Sequence, residues 1–248
     1  MPAELAALNA GFSYGAVPVL SNVTVRVPAG RQLGLTGPSG TGKTTLARLL
    51  AGLIPAAAGT VTCNGEPVPP AGKGRAGNIA MLFQSPRASC SPRLTLRQVI
   101  TEGVRRLNRR EAALRVRELA AEVQLTPDLL ERYPREVSDG QLQRACLARA
   151  LAAEPLYLIC DEATAMLDAA TTAWLVRVIS TEVQTRGMGV LALSHDRMLL
   201  EAWCTTVTGL ATLSAVRPEP ASGSGPRVSP GRVSTIRSRT ALPSWNPP

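Results

Sequence analysis

Apolar and polar positions follow two alternating rhythms along the chain. Residues 3–10 and 19–27 read as strands: Val23, Val25 and Val27 alternate with Thr24 and Arg26, one face in and one out. Arg31 to Thr36 suits a short buried strand, and Leu46 to Leu53 reads as a helix. Val61 to Gly65 is a strand closed by an Asn-Gly turn. Residues 66–78, rich in proline and glycine, read as a loop, and Ile79 to Phe83 as a buried strand. Residues 93–132 read as helical, with Ala112, Val116, Leu119, Ala120 and Val123 on one face. Tyr133-Pro134 ends that region, and Ser138 can cap a long helix from Leu142 to Ala153. Leu156 to Cys160 is a wholly apolar strand, 171–185 a helix, and Val190 to Leu193 a further strand. Strands alternating with helices specify an α/β fold.

The chemistry-bearing residues stand where these elements join. Gly37-Pro38-Ser39-Gly40-Thr41-Gly42-Lys43-Thr44-Thr45 lies between a strand and a helix and fits a phosphate loop. Its glycines let successive N–H groups converge on phosphate oxygens, and the helix N-terminus adds partial positive charge. Lys43 can reach the β- and γ-phosphates, and Thr44 can offer its hydroxyl to Mg²⁺. The strand at 156–160 delivers Asp161 and Glu162: the first acid can hold Mg²⁺ through water, and the second can polarise an attacking water. Gln84 and His195, the one histidine, each follow a strand, where ligands of α/β sheets gather. His195 is placed to contact a γ-phosphate. Tyr14, in Gly11-Phe12-Ser13-Tyr14-Gly15, offers a ring that can stack on adenine. Arg105, Arg106, Arg109 and Arg110 form a basic patch at helical spacing, which a solvated face also explains.

Composition adds limits. The chain has 248 residues, 45% of them hydrophobic but only 3% aromatic, so its core is built of Ala, Leu and Val. Neither a secretory leader nor a membrane-spanning run is expected. The five scattered cysteines read as reduced thiols, with no disulfide framework or zinc site. The net charge of +9 is inflated by residues 217–248, which carry five arginines against one glutamate. That Pro-, Ser- and Gly-rich segment reads as a disordered tail beyond a domain of residues 1–216.

Together these residues resemble the nucleotide-binding subunit of an ATP-binding cassette (ABC) transporter, over roughly residues 3–210. In that resemblance residues 37–45 are Walker A, Gln84 the Q-loop glutamine, and residues 156–162 Walker B. Ala165-Met166-Leu167-Asp168 match the D-loop and His195 the H-loop. Val137-Ser138-Asp139-Gly140-Gln141 match the signature usually written Leu-Ser-Gly-Gly-Gln, with Asp139 standing where Gly is usual. The resemblance implies a phosphate-loop NTPase core with an antiparallel β subdomain and an inserted α-helical subdomain at about 87–150. It also implies ATP and Mg²⁺ as ligands, with Thr44, Gln84 and Asp161 toward the metal. Lys43, Gln84, Glu162 and His195 would serve hydrolysis. A second ABC ATPase subunit would present Ser138, Gly140 and Gln141 to the nucleotide. Membrane permease subunits would be the direct partners, a solute-binding protein an indirect one, and the site of action the cytoplasmic face of the membrane. Phe83-Gln84-Ser85-Pro86, Ser91-Pro92-Arg93 and Gln141-Leu142-Gln143-Arg144 resemble the oligopeptide and nickel importer ATPases in particular.

Other phosphate-loop proteins fit less well. Exporter ATPases carry a membrane domain in the same chain. Chromosome-organising ATPases insert a very long coiled coil between Walker A and the signature, whereas Lys43 to Ser138 is short and has no sustained heptads. A soluble ABC-type ATPase acting on nucleic acid is the alternative, and no nucleic acid is expected as partner. A small-molecule kinase would lack the signature.

Overall fold

In the computed structural model, which describes residues 3–69, 78–104 and 107–213, the chain opens on a hairpin of β1 (Glu4–Tyr14) and β2 (Val17–Pro28). The ladder runs further than alternation alone marks, because Phe12 and Tyr14 still pair with Leu20 and Val17. β3 (Gln32–Thr36) and α1 (Lys43–Leu50) follow, then β4 (Ala58–Cys63) and β5 (Glu66–Pro67). The β4–β5 turn uses Asn64 at φ 53 and Gly65 at φ 86, the left-handed pair that Asn-Gly favours. Thus Glu66 and Pro67, expected in a loop, extend the sheet; residues 70–77 of that loop lie outside the described residues. β2-β1-β4-β5 form an antiparallel sheet.

The second sheet adds β6 (Ile79–Leu82), β7 (Tyr157–Asp161), β8 (Gly189–Ser194) and β9 (Thr206–Gly209), in the order β6-β7-β8-β3-β9 with every neighbour parallel. Every residue of β7 and β8 is buried. Parallel strands covered on both faces require such continuous apolar runs. The Tyr157 hydroxyl donates to Asn64 Oδ1, tying the two sheets.

Between β6 and β7 the described chain holds helices and no strand. α2 (Pro86–Ser89) and α3 (Leu96–Thr101) lead into a 3₁₀ turn at Glu102–Val104. α4 (Arg109–Glu122), α5 (Pro127–Leu130) and α6 (Asp139–Ala152) complete it. The single helical stretch expected over 93–132 is therefore broken. Asn108 caps α4 by accepting from Arg110 and Glu111 N–H, Gln124 adopts φ 53, and Pro127 opens α5. Each is a start or stop signal that the apolar stripe conceals. The stripe itself holds: Val116, Leu119, Ala120 and Val123 are buried against α6 residues such as Leu142 and Leu147. Full burial of each Leu or Val contributes about 1.5–3 kcal/mol. A side chain at Gly103 would put its Cβ 2.3 Å from the Arg149 carbonyl oxygen, so only glycine lets the 3₁₀ turn lie on α6. α7 (Ala169–Arg186), α8 (Arg197–Trp203) and α9 (Leu210–Leu213) end the described chain. No helix among the described residues is long and apolar enough to cross a membrane. The tail expected over 217–248 lies outside the described residues, as do Arg105 and Arg106.

Candidate active site

The phosphate loop leaves the C-terminal end of β3 and enters α1. Gly40 and Gly42 take φ 79 and 99, so the turn needs residues without a Cβ. A Cβ at Gly42 would also press on Leu20 and Val19 at 3.1 Å. Thr41 Oγ1 donates to the Pro38 carbonyl at 2.9 Å and tightens the loop. Lys43 is buried, and its ammonium donates to the carbonyls of Gly37 (2.7 Å) and Pro38 (2.9 Å). α1 has no acidic residue in its first turn and no side-chain cap, which leaves its N–H groups available to an anion.

β7 brings the two acids alongside. Asp161 is only 4% exposed, and its Oδ1 accepts from Thr44 Oγ1 at 3.0 Å. Burial pushes its carboxyl above the usual range, while the Thr44 hydrogen bond and the Arg48 and Lys43 charges pull the other way. A hydroxyl and a buried carboxylate, with Gln84 lining the same cavity, form an oxygen donor set that fits a hard divalent cation. Glu162 turns the chain at φ 48 while its N–H donates to the Leu193 carbonyl. Its side chain meets three residues expected at the site. Gln84 Nε2 donates to Oε2 at 3.2 Å, Lys43 Nζ lies 3.7 Å from Oε1, and His195 Nδ1 lies 3.6 Å from Oε1. Tyr14 is 50% exposed and meets Phe12 edge-on at 4.9 Å between ring centroids. It lines, with Ser39, Gly40, Thr44, Thr45 and Glu162, a cleft of about 380 Å³.

The structure does not bring Ser138, Gly140 and Gln141 into that cleft; they line neither cavity that contains Thr44. They form the start of α6, which opens at Asp139 with Ser138 as its N-cap, three residues ahead of the helix expected from Leu142. Ser138 Oγ accepts from Gln141 N–H, and Gln141 Oε1 accepts from Ser138 N–H, a reciprocal cap. Asp139 Oδ1 forms an ion pair with Arg87 Nε at 2.6 Å. Asp168 caps α7, accepting from Thr171 N–H at 2.8 Å. Arg109 and Arg110, the described part of the basic patch, are exposed in the first turn of α4.

Two residues escaped the sequence reading. Gln143, almost fully buried on α6, donates through Nε2 to the Ala163 carbonyl at 3.0 Å and reaches the Phe83 carbonyl at 3.5 Å. It thereby joins the helix to the segments carrying Gln84 and Glu162; a polar residue amid Leu142, Ala145, Cys146 and Leu147 was the available signal. Arg87 follows Gln84 closely, and its guanidinium donates to the carbonyls of Pro134 (2.8 Å) and Val137 (3.0 Å).

Residues 20–165 match the family described as ABC transporter. The nickel import ATP-binding protein NikE of Escherichia coli K12 is 38% identical over 196 residues, spanning 76% of this chain and 73% of that protein. NikE of Shigella boydii is 37% identical over the same length. Among solved structures, cbiO1 of Clostridium perfringens, part of the ABC transporter complex cbiONQ, aligns over 84% of this chain and 85% of its own. Its TM-score is 0.72 at 21% identity. A bacterial ABC transporter cassette solved as a dimer gives 0.73 at 20% identity, over 83% of this chain and 94% of its own. At these identities the two structures speak for the fold, while the sequence match to residues 20–165 and the NikE relatives speak for the lineage. The chain belongs to the ABC transporter family, as one of its ATP-binding, ATP-hydrolysing cassettes.

Proposed function

We propose that this cassette powers import of nickel or peptides, working as a head-to-tail pair of ABC subunits under membrane permease subunits at the cytoplasmic face. The observation that carries the reading is the gathering of Gln84, Lys43 and His195 around Glu162, beside the Thr44–Asp161 pair. In this reading Tyr14 stacks on adenine. The loop from Gly37 through Thr45, including Pro38, Ser39 and Thr41, wraps the phosphates with its N–H groups. Lys43 exchanges its two carbonyl acceptors for phosphate oxygens. Thr44 and Asp161, with Gln84, would hold Mg²⁺, which neutralises phosphate charge when bound. Glu162 accepts hydrogen bonding from the attacking water and orients it, and His195 contacts the γ-phosphate. Ser138, Gly140 and Gln141 point at the nucleotide of the opposite cassette, which accounts for their place outside this chain's own cleft. NikE, the nickel import ATP-binding relative, supports the cargo class, with peptides as the second choice. A solute-binding protein would act indirectly, and no nucleic acid takes part.

The test is reconstitution with the cognate permease subunits in vesicles. ATP-dependent uptake of ⁶³Ni²⁺ or of labelled oligopeptides supports the reading. Turnover stimulated by nucleic acid, with steep salt-dependent binding, contradicts it.

A further inference from the structure

We infer that Arg87 is a positioning residue for hydrolysis that masks the carboxylate of Asp139, so that a signature helix with an acid in its first turn can still face a triphosphate. The inference rests on the reading that the start of α6 meets the nucleotide of the opposite cassette. Asp139 sits between Ser138 and Gly140, the two groups expected to touch phosphate. An unmasked negative charge there would repel the ligand that the helix N-terminus is built to attract. The structure places a guanidinium directly on that charge: Nε of Arg87 lies 2.6 Å from Oδ1, and Oδ1 itself is closed off from solvent without an aligned hydrogen bond.

A half-exposed ion pair, here 46% and 37% exposed, is ordinarily weak because two flexible side chains must be held together. Arg87 is already held. Its NH1 and NH2 donate to the carbonyls of Pro134 and Val137, both immediately ahead of the signature. The remaining edge of the planar fork then meets Asp139 without further loss of freedom. Asp139 gains the helix dipole and the cation together. Because α2 begins two positions after Gln84, the same guanidinium ties the segment leaving the chain's own cleft to the helix that would complete the opposite one.

The experiment uses the assembled transporter and the purified subunit. Arg87→Ala should lower turnover of the complex at least about fivefold at low salt, while mant-ATP affinity of the subunit changes less than about twofold. Raising ionic strength from about 50 to about 500 mM should recover much of the loss, since an exposed repulsion is screened. Adding Asp139→Gly to Arg87→Ala should restore turnover to within about twofold of Asp139→Gly alone. Arg87→Gln, which keeps an amide for the carbonyls but no charge, serves as the second variant and should be slowed and rescued in the same way. Unchanged turnover in both Arg87 variants, or a loss that Asp139→Gly and salt leave untouched, overturns the inference. Gly140→Asp separates the underlying reading: if that variant turns over normally, the start of α6 does not meet nucleotide, and both fall.

Discussion

The hydroxyl of Thr44 donates to Oδ1 of Asp161 across 3.0 Å, joining residues 117 positions apart in the chain. The next residue, Glu162, turns toward Gln84, Lys43 and His195. Adjacent acids thus have different surroundings, one shielded and bonded to the phosphate-loop helix, the other lining the cleft.

Glu162→Gln should therefore separate binding from turnover. The amide keeps the shape but cannot take up the water's developing positive charge. Turnover is expected to fall at least about a hundredfold, with mant-ATP affinity within about threefold of wild type. A single-turnover assay with labelled ATP checks it, and a rate within about threefold of wild type would remove Glu162 from its assigned role.

Gly140→Asp should fold and yet be silent. The position where its Cβ would stand is 3.7 Å from Thr171 Cγ2, ordinary contact, so none of the described residues opposes the added carbon. Thermal unfolding is expected close to that of the wild type. Turnover of the assembled complex should drop at least about a hundredfold, because on the proposed reading bulk and charge enter where backbone approaches phosphate.

Asp168→Asn should reveal a pH-dependent contribution from the cap of α7. Hydrogen bonds from Thr171 hold the Asp168 carboxyl below the usual 3.8. A depressed folded-state pKa means that the carboxylate's stability contribution is present above about pH 3.8 and is lost as pH falls through the lower, folded value. Urea midpoints should favour the wild type at pH 7 and converge as pH drops below 3.8. A gap that persists unchanged in acid would show that the charge contributes nothing.

Gly103→Ala should destabilise without touching the cleft. The added carbon would meet the Arg149 carbonyl at 2.3 Å and Ala152 Cβ at 2.6 Å, forcing the 3₁₀ turn off α6. Overpacking of this kind costs about 1–3 kcal/mol, readable as a lower urea midpoint with an unchanged slope.

Removing residues 217–248 should leave ATP turnover and the melting temperature unchanged, because a segment of that composition buries too little apolar surface to support the domain. A collapsed melting temperature would contradict this.

The sequence made the cleft legible because its chemistry is local. The phosphate loop, Gln84, Glu162 and His195 each follow a strand and Asp161 ends one, and parallel strands deliver their ends to one edge. What stayed hidden depends on distance through the fold. The stripe Val116, Leu119, Ala120 and Val123 is real, yet it suggests one long helix because buried spacing outweighs the cap at Asn108 and the helix-opening Pro127. Arg87 carries no motif; its meaning comes from Pro134, Val137 and Asp139, about fifty positions away. Cys90 and Cys146 read as scattered thiols, but the fold sets their sulfurs 3.3 Å apart.

The backbone at Glu162 holds φ 48, a conformation that costs an ordinary side chain about 1–2 kcal/mol and glycine or asparagine less. If Glu162 orients the attacking water as proposed, heat tolerance and work output are opposed at a single codon. A mutant library ranked only by survival on heating would drift toward Gly or Asn at 162, and under the proposed role of Glu162 it would enrich cassettes that bind ATP and never fire. Any thermostabilisation campaign on this protein has to freeze that codon before selection begins.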